Sequence, residues 1–354
     1  MCSPVSLERL RTLAPIAVHP ASSRHGSKTA AAASLAAVAL FTLTGCAAIQ
    51  VHLGMKVYLA KTPVTSIEAT QFKGPGIAPG QKSSLIVTVT EPNGKTLETE
   101  GAGHGKVLWR DLTVTATVVS VNQKGVLTLP HDPRKSDGKL PHVSIVVPSH
   151  PDVQAELDIP LRYDFPFVSN FSGTGGSSGS NGMDGSDGSS GSDGSTDPDN
   201  PSAGGNGGNG GDGSNGGDGG NGGDAPPVQV TVTLRTGAHP LLQAHVAAPG
   251  HNRYYLVDPQ GGSLMVRADG GAAGSGGKGG RGGRGGSGGS GSPSGMSGNS
   301  GSDGRDGSDG SSGRGGPITV TYDPAVQPYL SAIHLSNQGG PKPVFQQQPV
   351  APLW

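Results

Sequence analysis

Glycine returns at every third position in four separate runs: Gly173–Gly194, Gly204–Asp224, Gly276–Gly291 and Gly295–Gly316. A strict period of three belongs to one backbone geometry, the polyproline II helix with three residues per turn. Each triplet position then forms one stripe along the helix. A glycine stripe is bare, so another backbone can approach it closely. Such a helix makes no hydrogen bonds within itself, so neighbouring chains or water must satisfy its N–H and C=O groups.

The first and fourth runs carry one glycine per triplet, the second and third two. Four helices packed as a rhombus need two inner members with more neighbours and two outer members with fewer. The order one, two, two, one predicts that arrangement, with the Ser, Asp and Asn of the outer runs facing solvent. Turn signals in Ser195–Ala203 and at Ser292-Pro293-Ser294 divide the runs into two hairpins, 173–224 and 270–316. The longer runs would extend about 65–70 Å at about 3.1 Å per residue. The first hairpin holds eight Asp and no Lys or Arg. The second holds Lys278, Arg281, Arg284, Arg305 and Arg314 against three Asp, so opposite charges are expected to face each other.

Three other readings compete. A flexible Gly/Ser spacer is the main rival, although a spacer needs no register. Collagen normally depends on proline within the triplets and on three chains, whereas Pro198, Pro201 and Pro293 all lie in the breaks. The calcium-binding β-helix needs a regularly repeated large apolar residue. Without it, Asp212, Asp218 and Asp224 are poor calcium ligands. The four runs resemble the glycine-rich antifreeze proteins of snow fleas and the polyglycine II tips of some phage adhesins. That resemblance implies a rigid, flat-faced bundle and surface recognition, and carries over no binding residue.

The remaining sequence reads as β structure. Leu85–Thr90, Leu112–Val118, Val126–Leu129, Val143–Val147 and Ala155–Tyr163 carry the period-two, β-branched strand signal. Val228–Leu234 and Ile318–Tyr322 repeat it, and Tyr254–Val257 with Leu264–Val266 predict a hairpin through Asp258-Pro259-Gln260-Gly261. The expected fold is all-β, with a β-sandwich-like scaffold, an inserted bundle of four polyglycine II helices and no substantial α-helix in the mature chain. The divisions are a leader over 1–45, a sandwich over 46–170, strands carrying the glycine hairpins over 171–337, and a Pro/Gln-rich tail over 338–354. That tail is expected to be extended or disordered, with Phe345, Leu353 and Trp354 able to dock.

Arg24, His25 and Lys28 precede an uncharged stretch from Thr29 to Gly45. It has the length of a secretory hydrophobic region and is short for a membrane span. Leu43-Thr44-Gly45-Cys46 closes it and resembles the lipobox of bacterial lipoproteins. The resemblance implies cleavage between Gly45 and Cys46 and acylation of Cys46. The absence of Asp at position 47 then favours the outer membrane. Two or more acyl chains would hold the protein stably, where one chain is marginal.

Only Cys2 and Cys46 occur, so a mature form lacking Cys2 has no disulfide framework. The net charge of -1 gives no bulk attraction for nucleic acid. No nucleophile elbow, phosphate loop or metal-ligand spacing is present, and no cofactor is implied. The expectation is a non-enzymatic, lipid-anchored envelope protein, structural or adhesive. The alternative is a module binding glycan or ice on a flat bundle face. Expected partners are a lipid membrane, through acylated Cys46, and extracellular polysaccharide or another envelope protein.

Overall fold

A computed structural model describes residue 53, residues 55–237 and residues 239–354; the leader, Gly45 and Cys46 lie outside the described residues. The chain is all-β, and the longest helical segment among the described residues is a 3-10 stretch, Pro324–Ala332. Two apolar clusters organise the strands.

The first cluster belongs to β1 (Ser66–Gln71), β2 (Lys82–Thr90), β3 (Thr96–Glu98), β4 (Thr113–Thr117), β5 (Ser120–Val121), β6 (Val126–Thr128), β7 (His142–Val147) and β8 (His150–Asp158). One sheet runs β1-β2-β6-β5 with β3 beside β2, and the other runs β4-β7-β8. Alternation decides what enters the core. Leu85, Val87 and Val89 of β2 are buried together with Val143, Ile145 and Val147 of β7, while the residues between them stay partly exposed.

The second cluster belongs to β9 (Pro166–Asn170), β10 (Val228–Arg235), β11 (Leu241–Ala248), β12 (His251–Val257), β13 (Ser263–Arg267), β14 (Ile318–Tyr322), β15 (Ile333–Ser336) and β16 (Val344–Gln347). Its sheets are β12-β11-β10-β14-β16 and β15-β13-β9. The division drawn at residue 170 leaves β9 with the first sandwich, yet β9 pairs with β13 and its Phe167 packs in the second core.

The expected hairpin between β12 and β13 does not form. The turn itself is present, with the Gly262 N–H donating to the Asp258 carbonyl. However, β12 pairs with β11, and β13 runs parallel between β9 and β15 in the opposite sheet. The turn is a corner between layers, because β13 finds a parallel neighbour on each side.

The tail is extended and docked. β16 adds parallel to β14. Beyond it, Thr233 Oγ1 donates to the Val350 carbonyl at 3.1 Å. The buried Gln243 amide accepts from the Leu353 N–H at 3.0 Å and donates to the Trp354 carbonyl at 3.3 Å. Trp354 Nε1 then donates to Asp137 Oδ2, on the first sandwich, at 2.9 Å. Arg235 pairs with the same carboxylate.

Candidate functional site in the glycine-helix bundle

All four glycine runs leave the second sandwich from strands. The first follows β9, the third follows β13, the second leads into β10 and the fourth into β14. β9 and β13 are parallel with an offset of 97 residues, and β10 and β14 are parallel with an offset of 90. The same offsets persist through the runs. Lys278 bonds to Asn181 at a separation of 97, and Met296 to Asn206 at 90. The bundle therefore continues the strand register without a slip.

Backbone hydrogen bonds fix the packing. The Gly173 to Gly194 N–H groups, one per triplet, donate to carbonyls from Asp269 to Ser290 of the third run at 2.6–2.8 Å. The second run donates from Gly205 to Gly223 into the first, and from Gly204 to Gly222 into the fourth. The third donates from Gly271 to Gly289 into the second, and the fourth from Gly295 to Gly313 into the third. Runs two and three thus touch three neighbours each and runs one and four two each, the rhombus expected from the glycine count. The third run begins earlier than its unbroken triplets suggest, at Gly270, with Ala273 standing in one glycine stripe.

Glycine is required because the approach is so close. A Cβ on Gly283 would lie 2.0 Å from the Ser186 carbonyl oxygen, and one on Gly207 2.1 Å from that of Gly286. Those separations are backbone overlaps, not crowding that a side chain could relieve. Hydrogen bonds to three neighbours offset the large entropy that glycine loses on ordering.

The Asp and Asn residues do work that their composition does not reveal. They face solvent as expected, but they do not pair with facing cations: their side-chain oxygens form ladders onto neighbouring backbone N–H groups. Asn206, Asn209, Asp212, Asn215, Asp218, Asn221 and Asp224 accept, through Oδ1, from Met296, Asn299, Ser302, Arg305, Ser308, Ser311 and Arg314 at 2.6–2.9 Å. Asn181, Asp184, Asp187 and Asp193 serve the third run in the same way, and Asp303, Asp306 and Asp309 accept from Gly282, Gly279 and Gly276. Among the described residues of the bundle no ion pair forms, so facing charges do not pair across the hairpins. The physical reason is geometric: the short Asx side chain reaches the adjacent N–H first, and each bond offsets an otherwise unpaired donor.

Asp269 closes the base of the bundle. Its carboxylate accepts from Ser336 Oγ at 2.6 Å and from the Gln338 N–H at 2.7 Å, while its carbonyl receives Gly173. The Ser336 hydroxyl, with help from the Gln338 N–H, holds the Asp269 carboxyl below the usual range.

Two ribbed faces result. One carries the Asx row of run one, the Lys278-Arg281-Arg284 row of run three and the Asp303-Asp306-Asp309 row of run four. The other carries the hydroxyl row of run one, the Asn/Asp row of run two and the Met296-to-Arg314 row of run four. Among the described residues no cluster of His, Cys, Asp or Glu is arranged to hold a metal ion. Asp212, Asp218 and Asp224, weighed as calcium ligands, are each engaged by a backbone N–H. Comparison with protein-family models finds no match, and comparison with curated proteins finds none either.

Proposed function

We propose that the chain is a non-enzymatic, lipid-anchored protein of a bacterial cell envelope, tethered by acylated Cys46. In this reading the β scaffold carries a projecting glycine-helix bundle as a structural or adhesive element. The observation that supports it most is the unbroken register from β9, β13, β10 and β14 into the four runs. A spacer has no use for such continuity; a rigid projection of about 65–70 Å does. The outer membrane is the proposed site. A second reading, glycan or ice binding on a bundle face, draws support from the parallel rows, whose side chains repeat about every 9 Å along each run.

Metabolic labelling with a fatty acid tests the anchor. Label should enter the wild-type chain and be lost in Cys46→Ser. Equal labelling of both would sink the lipid-anchored reading. Retention of cells displaying the chain, but not of cells displaying a chain without residues 173–224 and 270–316, on a polysaccharide or envelope-protein surface would support adhesion.

A further inference from the structure

A cleft of about 580 Å³ lies beside β9 and β12, where segments of the first sandwich around Gln81 and Arg134 meet the second. Asn252, Arg253, Tyr254 and Tyr255, four consecutive residues of β12, all line it. Successive side chains of a strand point to opposite faces, so a cleft that meets all four runs along the strand's edge.

That edge is open. β12 ends its sheet, with β11 on its other side. The register pairs Ala248 with His251 across a two-residue turn, so His251, Arg253 and Tyr255 direct their backbone groups to β11. Asn252 and Tyr254 then turn their N–H and C=O groups outward. Farther along, the outward groups are already engaged: the Asp258 N–H donates to the Tyr163 carbonyl at 2.9 Å. Among the described residues no such partner reaches the backbone of Asn252 or Tyr254. His251, Asn252 and Arg253 are exposed and Tyr254 is half-buried. The facing strand β9 opens on Pro166, which has no N–H for a ladder, so β9 serves as a wall.

The cleft carries positive charge. Arg134 is forked to Asp132, at 2.9 and 2.7 Å, and lies 3.7 Å from the centre of the Tyr254 ring, so its charge is balanced. Arg253 has no ion-pair partner among the described residues. His131, also in the lining, adds to the positive side when protonated.

We infer that this cleft binds an extended acidic segment of another protein, which adds to β12 as a further antiparallel strand. Asn252 and Tyr254 each offer an N–H and a C=O, the main-chain bonds from which such addition draws its affinity. Arg253 then stands at a non-hydrogen-bonded site of the new pair, where opposed side chains come closest. An Asp or Glu opposite it is a favourable cross-strand partner, and a Lys or Arg is not. The same rule sets aside a second copy of this chain, because two β12 strands paired about Arg253 would bring guanidinium against guanidinium. The inference does not rest on the lipid-anchored reading: the cleft lies outside the bundle and needs no acylation at Cys46.

The test uses the full chain in detergent and a fluorescent, end-capped peptide, Thr-Val-Thr-Glu-Thr-Val-Thr, followed by anisotropy and calorimetry. The peptide should bind, and replacing its Glu by Lys should weaken binding about tenfold. Arg253→Glu should reverse that preference, which a loss of fold would not do. N-methylation separates strand addition from simple charge attraction. On the two Thr residues flanking the Glu it removes the donors that face β12 and should abolish binding. On the Glu, whose N–H faces away, it should change affinity little. Four results would overturn the inference: no peptide binding, no preference between Glu and Lys, equal effects of methylation at the two positions, or displacement of the peptide by acetate as readily as by unlabelled peptide.

Discussion

Ser214 Oγ accepts the backbone N–H of Met183 at 2.6 Å. Elsewhere along this seam the first run carries the hydroxyl, at Thr174, Ser177, Ser180, Ser186, Ser189 and Ser192, and the second run carries the facing glycine. Only at the Met183 rung does the hydroxyl cross to the second run. The two departures from the repeat therefore answer each other.

The pair should behave as a coupled unit. Ser214→Ala should cost about 0.5–1 kcal/mol through the lost acceptor. The double change Met183→Ser with Ser214→Gly, which recreates the regular rung, should match the parent. A double-mutant cycle by chemical denaturation checks this. Strict additivity of the two single changes would show that Ser214 does not compensate for Met183.

Glycines of the two inner runs should differ sharply in tolerance. A Cβ on Gly283 meets backbone at 2.0 Å, whereas one on Gly217 meets only Ser180 Oγ at 3.1 Å and its N at 3.3 Å. Gly283→Ala is expected to cost more than about 2 kcal/mol and Gly217→Ala less than about 1 kcal/mol. Denaturation of both variants gives the comparison. Equal losses would mean that propensity, not contact, decides.

Much of this bundle was legible from the spacing of Gly173 to Gly316, because bare stripes and neighbour counts follow from a three-residue turn. The Asx ladders were not. Asp184 or Asn206 in a glycine-rich run reads as solubilising, and only the 97- and 90-residue offsets bring each one under an N–H. The β scaffold shows the same divide. β2 and β10 alternate, and their period of two is visible in the sequence, but β11, which opens Leu241-Leu242-Gln243-Ala244, is buried on both faces there and has no period to detect. The cleft of about 580 Å³ beside β9 and β12 was invisible for a different reason: Gln81, Arg134, Phe167 and Tyr254, which line it, come from distant segments that no motif links.

Register makes the four runs interdependent. Removing one triplet, such as Gly185-Ser186-Asp187, breaks the 97-residue offset on the distal side while leaving composition almost unchanged. The polyproline II circular dichroism signal should weaken and melt less cooperatively. Removing the triplets at the same level from all four runs should restore cooperativity in a bundle about 9 Å shorter. If the single deletion melts like the parent, the runs do not need their register.

His142 provides a pH handle on the first sandwich. Its Nδ1 lies 2.7 Å from Asp158 Oδ1 and its Nε2 2.7 Å from Glu156 Oε2. The Asp158 hydrogen bond, then that of Glu156, raises the imidazole above its ordinary 6.5. A folded-state value above the unfolded one contributes stability in full below the unfolded value, and loses it as pH rises through the folded one. Proton NMR titration of His142 should show the upward shift. His142→Gln should flatten the fall in melting temperature from about pH 6 to about pH 8. An unshifted titration would remove the carboxylates' role.

The second run contains four Asn-Gly pairs, Asn206-Gly207, Asn209-Gly210, Asn215-Gly216 and Asn221-Gly222. In a flexible chain such pairs deamidate: the glycine nitrogen attacks the Asn side-chain carbonyl carbon, ammonia leaves, and the cyclic imide takes up water to give Asp or isoaspartate. The bundle engages both reacting groups in hydrogen bonds to the fourth run. Met296 donates its N–H to Asn206 Oδ1 at 2.9 Å and accepts the Gly207 N–H at 2.8 Å. Asn299, Arg305 and Ser311 clamp the other three pairs in the same way. Incubation at mildly alkaline pH, followed by peptide mapping, should therefore show the four amides intact in the folded chain and lost in urea. Asp212 and Asp218 already serve as ladder acceptors, so replacing an Asn by Asp should leave the fold intact. The damage from deamidation would come from isoaspartate, whose extra backbone atom breaks the three-residue turn and every rung beyond it. Equal loss of amide in the folded and unfolded chains would show that the clamps open freely.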